Sequence, residues 1–321
     1  MDMVFKSILK DELASFMEFI KLSIVDWKAF YRTLVDIDSF LFVEGLMEKR
    51  IEAQQISRWF NGQKVSLSTK KSRLSHIKRF SSYLATLGIK ISLPELPRNN
   101  REFKPYVFST DEITQIFEMA DDFIHARFCS RVLVEFPMLL RILYGCGLRL
   151  GEALSLTWNE IDLSTGVITV KIAKNQKQRI VPMNSELTRI LNLYRMAPLF
   201  DSQDQGFLFR NNNGQQRSKG AYWSIFNTIL CELGIKNTQT KKYGSRGPCM
   251  HSLRHTFAFH SLLKADAEGR GFMETVPFLS TYLGHGGLME TDKYLKARHG
   301  LYAKAHTVIS DYTRNVFPQE I

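Results

Sequence analysis

Pro94, Pro97 and Pro105 fall within residues 93–105, and no other feature limits the fold of this chain as much. Proline fixes φ, has no amide donor and pushes the residue before it out of the helical region, so neither a helix nor a paired strand continues through such a segment. Arg98, Asn99, Asn100 and Arg101 between them bring no apolar periodicity. The segment is therefore expected to be a linker. It separates residues 1–92 from residues 106–321, and each part is long enough to bury its own core.

The first part has helical periodicity with few breakers from about Lys10 to Leu87. Leu13, Phe16, Met17, Ile20 and Ile24 form one apolar stripe, and Leu74, Ile77, Phe80, Leu84 and Leu87 form another. Phe40, Leu41 and Leu46 suggest at least one further helix between them. Asn61-Gly62 signals a turn, and Ser66 to Thr69 suits an N-cap for the helix that follows.

The second part is mixed. Ser109-Thr-Asp-Glu112 matches a capped start to a helix reaching Ala120, and Val132 to Tyr144 is an apolar helix ended by Gly145 and Gly147. Arg149 to Trp158 suggests a short helix. Val167–Ile172 and Arg179–Pro182 are β-rich runs around a polar turn, hence a hairpin. Helices are expected again at 186–193, 222–233, 252–263 and 275–283. The fold class is mainly α with a small β-hairpin: a helical N-terminal domain and a mixed α+β C-terminal domain.

The net charge of +11 points to a polyanionic partner. Residues 53–94 contain no Asp or Glu but include Lys70, Lys71, Arg73 and Lys78, all expected on the polar side of one helix. Residues 233–265 are also free of acids and carry Lys241 and Lys242. Two separate surfaces of one sign suit a protein that grips duplex DNA from two sides. Such cations usually form a solvated face; the missing counter-charges favour phosphate contact instead. Cys129, Cys146, Cys231 and Cys249 are scattered without a C-x-x-C pair, as thiols of a reducing compartment would be. No export signal or membrane-spanning stretch is evident, so a cytoplasmic protein without membrane partners is expected.

One ordered set of residues carries chemistry. Gly147-Leu-Arg149-Leu-Gly-Glu152 is followed by the hairpin lysines, then His251-Ser-Leu-Arg254-His255, then Leu283-Gly-His285, with Tyr294 nine residues later. Two guanidinium groups can neutralise a phosphate, imidazoles can hydrogen-bond it or move protons, and a phenol can serve as a covalent nucleophile. Phosphodiester cleavage without a metal ion needs this combination, so no metal, cofactor or small-molecule substrate is expected. His251 and His255 have metal-like spacing, but no H-E-x-x-H motif or carboxylate ligand accompanies them, and packing accounts better for His255.

These motifs, weak singly and specific in this order, resemble the tyrosine recombinase (phage-integrase-like) family across the whole C-terminal half. Residues 1–92 resemble that family's helical core-binding domain in general pattern alone. The resemblance implies a C-shaped clamp and a site-specific recombinase that cleaves DNA through a 3′-phosphotyrosyl intermediate. Arg149 and Arg254 would clamp the scissile phosphate, His251 and His285 would hydrogen-bond it, and Tyr294 would attack it. Tyr302 and Tyr312 lack the family spacing from His285. Alignment of the hairpin gives Lys174 as general acid, with Lys177 as the alternative. Glu152, three residues after Arg149, would orient the guanidinium or form a plain helix ion pair.

The resemblance further implies a homo-tetramer on paired DNA sites, built from chains monomeric without DNA. The apolar residues Val308, Ile309, Tyr312, Val316 and Phe317 would then either pack on the core or dock on a neighbouring protomer. His251 and His285 are 34 residues apart, and residues 266–273 look like a loop inserted between two helices, which is closer to the transposon and integrative-element branch. A type IB topoisomerase and a catalytically inactive DNA-binding regulator on the same fold are the alternatives.

Overall fold

The computed structural model describes residues 5–23, 27–94, 105–122, 130–171, 178–197, 205–236 and 247–284. Most of the linker, the hairpin tip with Lys174 and Lys177, the pair Lys241 and Lys242, and everything from His285 onward lie outside them. The chain divides into two compact units, residues 1–101 and 102–321.

In the first unit are α1 (Lys10–Ser23), α2 (Trp27–Val43), α3 (Ala53–Gly62) and α4 (Leu67–Thr86). The i, i+3, i+4, i+7 stripe of α1 buries Leu13, Phe16, Met17 and Ile20, and α4 buries Leu74, Ile77, Phe80 and Leu84 against α2 and α1. Ser66 caps α4 by accepting the Thr69 amide at 3.2 Å. Asp38 on α2, 1% exposed, accepts the Lys6 and Ser7 amides at 2.7 and 3.0 Å and so ties down the chain entering α1.

The second unit runs α5 (Thr110–Asp122), α6 (Arg131–Gly145), α7 (Leu150–Ser155), a 3₁₀ turn (Trp158–Glu160), β1 (Ile161–Asp162), β2 (Val167–Lys171), β3 (Gln178–Pro182), α8 (Ser185–Met196), α9 (Lys219–Glu232), α10 (Met250–Ala267) and α11 (Phe272–Leu283). Helix α6 is its axis. Every residue from Glu135 to Tyr144 is buried, as expected of a helix enclosed on all sides, and α5, α8, α9 and α10 pack around it. The strands form an antiparallel sheet in the order β1-β2-β3, with Val167 opposite Pro182 and Lys171 opposite Gln178. Ile168, Val170 and Val181 face the core from it.

Two local expectations are corrected. Arg149 is the N-cap of α7, not a residue inside it, and α7 ends at Ser155. Gly147 at φ +60° makes the preceding turn, and a side chain there would meet the Phe257 ring at 2.4 Å. The loop expected over residues 266–273 is shorter: Asp266 and Ala267 extend α10, Phe272 begins α11, and four residues connect them. Gly269 at φ +79° allows that sharp stop, its amide donating to Asp266 O at 3.0 Å while the Arg270 amide reaches Ala265 O at 2.8 Å.

In the first half of α6 the fully buried Glu135 accepts from Arg131 Nε (3.0 Å), Arg217 Nε (2.8 Å) and Tyr222 Oη (2.6 Å). It thereby joins α6 to α9 and to the segment before it. Removing one partner of a buried, hydrogen-bonded charge cluster leaves the others uncompensated. Glu135→Ala is therefore expected to lower the stability of this unit by about 3–5 kcal/mol, measured by denaturant unfolding.

Candidate active site

Four segments converge where α7 begins: the α6–α7 turn, β3, the first turns of α10 and the end of α11. The Glu152 carboxylate is their common point. It accepts the Arg149 amide on Oε2 (2.9 Å) and Arg149 Nη1 on Oε1 (2.9 Å). This is the reciprocal half of a capping arrangement, in which the N3 carboxylate reaches back to the N-cap amide. From its other side Arg179 binds both oxygens through Nη1 (3.0 Å) and Nη2 (2.8 Å), and Arg254 Nη1 lies 3.9 Å from Oε2.

Arg254 is 1% exposed, yet its guanidinium has partners: Nη1 donates to Gly147 O and Nη2 to Leu283 O, both at 2.7 Å. The tight turn at Gly147 presents that carbonyl. His251 lies three residues before Arg254 on α10, so the two occupy neighbouring positions on one side of the helix. His251 is exposed, with its ring edge-on to His255 at 4.6 Å. His255 is 9% exposed, in keeping with a packing role.

The end of α11 completes the cluster. Its last carbonyls have no helical partners of their own. Tyr282 O accepts from Arg179 Nε (2.9 Å), Leu283 O from Arg254 Nη2 and Gly284 O from Arg149 Nη2 (3.1 Å). Three guanidinium cations around one carboxylate leave a local excess of two positive charges, placed directly before His285. Such a cluster attracts an anion. Arg149 has the most open side chain of the three, at 37%, against 9% for Arg179 and 2% for Arg254.

Arg149, Glu152, His251 and Arg254 thus belong to one neighbourhood, whereas Lys174, His285 and Tyr294 lie outside the described residues. Sequence reasoning missed Arg179. The sequence alone carried no clear signal, because Ile180 and Val181 are both apolar and alternation does not say which side is buried; in the structure Arg179 shares the core-facing side of β3 with Val181 and stands opposite the buried Val170, whereas Ile180 faces outward at 67% exposure. A cation on the apolar side of a strand implies a buried anion partner.

In the first unit, Lys78 is exposed on α4, and Lys71 is half-buried there. Lys70 donates to Asn61 O at 3.3 Å and lies 5.3 Å from the Phe60 ring. Arg73 departs from the expectation of an uncompensated cation, because it bonds Asp36 (3.1 Å) and Gln63 (3.3 Å). A stretch free of acids in sequence is not free of them in space: α2 supplies Asp36, and Glu44 pairs with Arg58.

Burial alone would raise the Glu152 pKa, but hydrogen bonds from Arg179 and the Arg149 amide, with the nearby positive charge, hold it at about 2. Because the folded pKa is depressed, the carboxylate's stabilisation is present at neutral pH and declines from about pH 4.5 toward 2. Acid unfolding of Glu152→Gln is expected to show a shallower dependence on pH over that window, measured by circular dichroism.

Residues 107–299 match the family model described as the phage integrase family. The chain is 27% identical over 242 residues to a putative integrase/recombinase, y4rB, of Sinorhizobium fredii, covering 73% of this chain and 76% of the relative. It is also 27% identical to the tyrosine recombinase XerD of Oceanobacillus iheyensis, covering 71% of each. Among solved structures, the Tn1549 transposon integrase in complex with circular intermediate DNA has the same fold, with a TM-score of 0.63 at 16% identity over 90% of this chain and 95% of that one. The matched span includes every residue of the arginine–glutamate cluster, and the chain belongs to the phage integrase family, as a tyrosine-type site-specific recombinase.

Proposed function

We propose that the cluster binds the scissile phosphate of double-stranded DNA, with Arg149 and Arg254 on its non-bridging oxygens. The observation that carries this reading is the meeting of two arginines, 105 residues apart in sequence, at one carboxylate, which hydrogen-bonds Arg149 and lies 3.9 Å from Arg254. Arginine keeps its charge and presents a planar fork suited to phosphate. Donors already in place can stabilise the charge that builds as phosphorus becomes five-coordinate.

In this reading the Tyr294 phenol oxygen attacks phosphorus and gives up its proton to His251, while His285 hydrogen-bonds the phosphate. A P–O bond to tyrosine forms and the bond to the 5′-oxygen breaks. Lys174, with Lys177 the alternative, donates the proton that the departing 5′-oxygen takes. The ester retains the bond energy, so rejoining by a 5′-hydroxyl needs no ATP. Lys70, Lys71, Lys78, Lys241 and Lys242 would track the DNA backbone, with Arg73 sharing its charge with Asp36. Four protomers, monomeric in the absence of DNA, would assemble on two paired sites in the cytoplasm, with the apolar C-terminal segment docking between them. Similarity to a transposon integrase and to a putative integrase supports service to a mobile element.

A set of nicked duplexes spanning a site selected from random DNA by binding to the wild-type protein tests the chemistry. The expected result is a covalent protein–DNA adduct formed in EDTA and absent for Tyr294→Phe. An adduct that persists in that variant would defeat the nucleophile assignment, and no adduct from wild type would favour a binding regulator. Lys78→Ala is expected to reduce the slope of log affinity against log salt by about 0.9, as loss of one phosphate contact does, measured by fluorescence anisotropy.

A further inference from the structure

We propose that Arg179 is a positioning residue of the strand-cleavage site. It acts through Glu152 on Arg149 and directly on the end of α11, without touching the phosphate. The inference rests on the recombinase reading above and extends it to a residue outside the motif set.

Three observations carry it. First, the two arginines share the Glu152 carboxylate. Arg149 takes Oε1 by its side chain and Oε2 by its amide, while Arg179 takes both oxygens by its fork. With Arg179 present the carboxylate cannot turn, so Arg149 Nη1 has a fixed anchor. Second, Arg179 Nε holds Tyr282 O, the first of the three successive carbonyls capped by Arg179, Arg254 and Arg149. Third, the approach at the helix end leaves no spare room. Gly284 sits at φ +66°, and a side chain there would come within 3.1–3.3 Å of the Arg179 guanidinium and Cδ.

Arg179 spends both Nη atoms on the Glu152 carboxylate and Nε on Tyr282 O, so its charge is matched within the protein, whereas the hydrogen bonds of the still more buried Arg254 go to the neutral carbonyls of Gly147 and Leu283 and leave its charge for the phosphate. Binding two carboxylate oxygens and a carbonyl at once requires a planar fork; a lysine ammonium is a point charge on a flexible stem and cannot span them. The hairpin is tied in by the same residue: Arg179 pairs with Val170 one register step inside the last observed pair, Lys171 and Gln178. One side chain thus sets the mutual position of β3, α7 and α11.

The test uses full-length wild type, Arg179→Lys, Arg179→Gln and Gly284→Ala on nicked duplexes with either a normal phosphodiester or a methylphosphonate at the cleavage position. A methylphosphonate lacks the negative charge that Arg149 is placed to neutralise, so misplacement of that guanidinium matters less. On the phosphodiester, both Arg179 variants are expected to form adduct about 10²-fold more slowly in single turnover, with DNA affinity unchanged. On the methylphosphonate the deficit is expected to shrink to about tenfold or less. Gly284→Ala, which presses a methyl group on the fork without removing charge, is expected to show the same dependence on substrate and keeps the test open if Arg179→Gln does not fold. Wild-type rates for Arg179→Lys would overturn the proposal, as would equal deficits on both substrates accompanied by a lowered thermal midpoint. A wild-type protein that forms no adduct at all would sink the recombinase reading itself, a different outcome from variants that react as well as wild type.

Discussion

The carboxylate of Glu152 stands among three guanidinium groups, and the geometry around the candidate active site follows from it. A partly buried anion in a fold of this size needs several donors to offset its lost hydration. Here β3 supplies two, the N-cap of α7 supplies two more, and Arg254 of α10 adds its charge at 3.9 Å. Because the anion is held so firmly, the arginines around it are held as well. One donor of each is directed at the end of α11, Arg254 also holds Gly147 O, and the cluster keeps its excess positive charge.

Buried acids serve similar ends elsewhere in the molecule. Glu135 gathers Arg131, Arg217 and Tyr222 against the central helix, and Asp38 holds the chain entering α1. In each case one carboxylate joins segments distant in sequence. A polar group without water needs all its partners at once, so each such group allows few arrangements of the elements around it. Apolar packing around α6 supplies the bulk of the core, and these acids fix how the surrounding elements are seated.

The basic surfaces show how tertiary structure redistributes charge. Residues 53–94 contain no acid, but Asp36 reaches Arg73 on α4 and Glu44 reaches Arg58 on α3, so fewer of their cations are uncompensated than the sequence suggests. The loop expected at residues 266–273 is confined to four residues. Asp266, Ala267, Phe272 and Met273 can extend the neighbouring helices, and Gly269, tolerant of positive φ, confined the reversal to four residues.

Local chemistry settled much of this protein in one dimension. Apolar periodicity located α1, α4 and α6, the prolines marked the segment between the two parts, Ser66 announced the start of α4, and β-rich runs outlined the hairpin. The ordered motifs containing Arg149, Glu152, His251 and Arg254 carried the resemblance to the family whose model the chain matches. What the chain could not announce was reciprocity between distant segments. That Arg179 would grip Glu152 depended on β3 folding back across more than twenty residues. The capping of the α11 carbonyls by three different arginines likewise awaited α10 packing beside α6 and α11 closing over β3. Pattern along a chain reports which face of an element is buried; the partner that meets a buried charge is decided only when the elements are brought together.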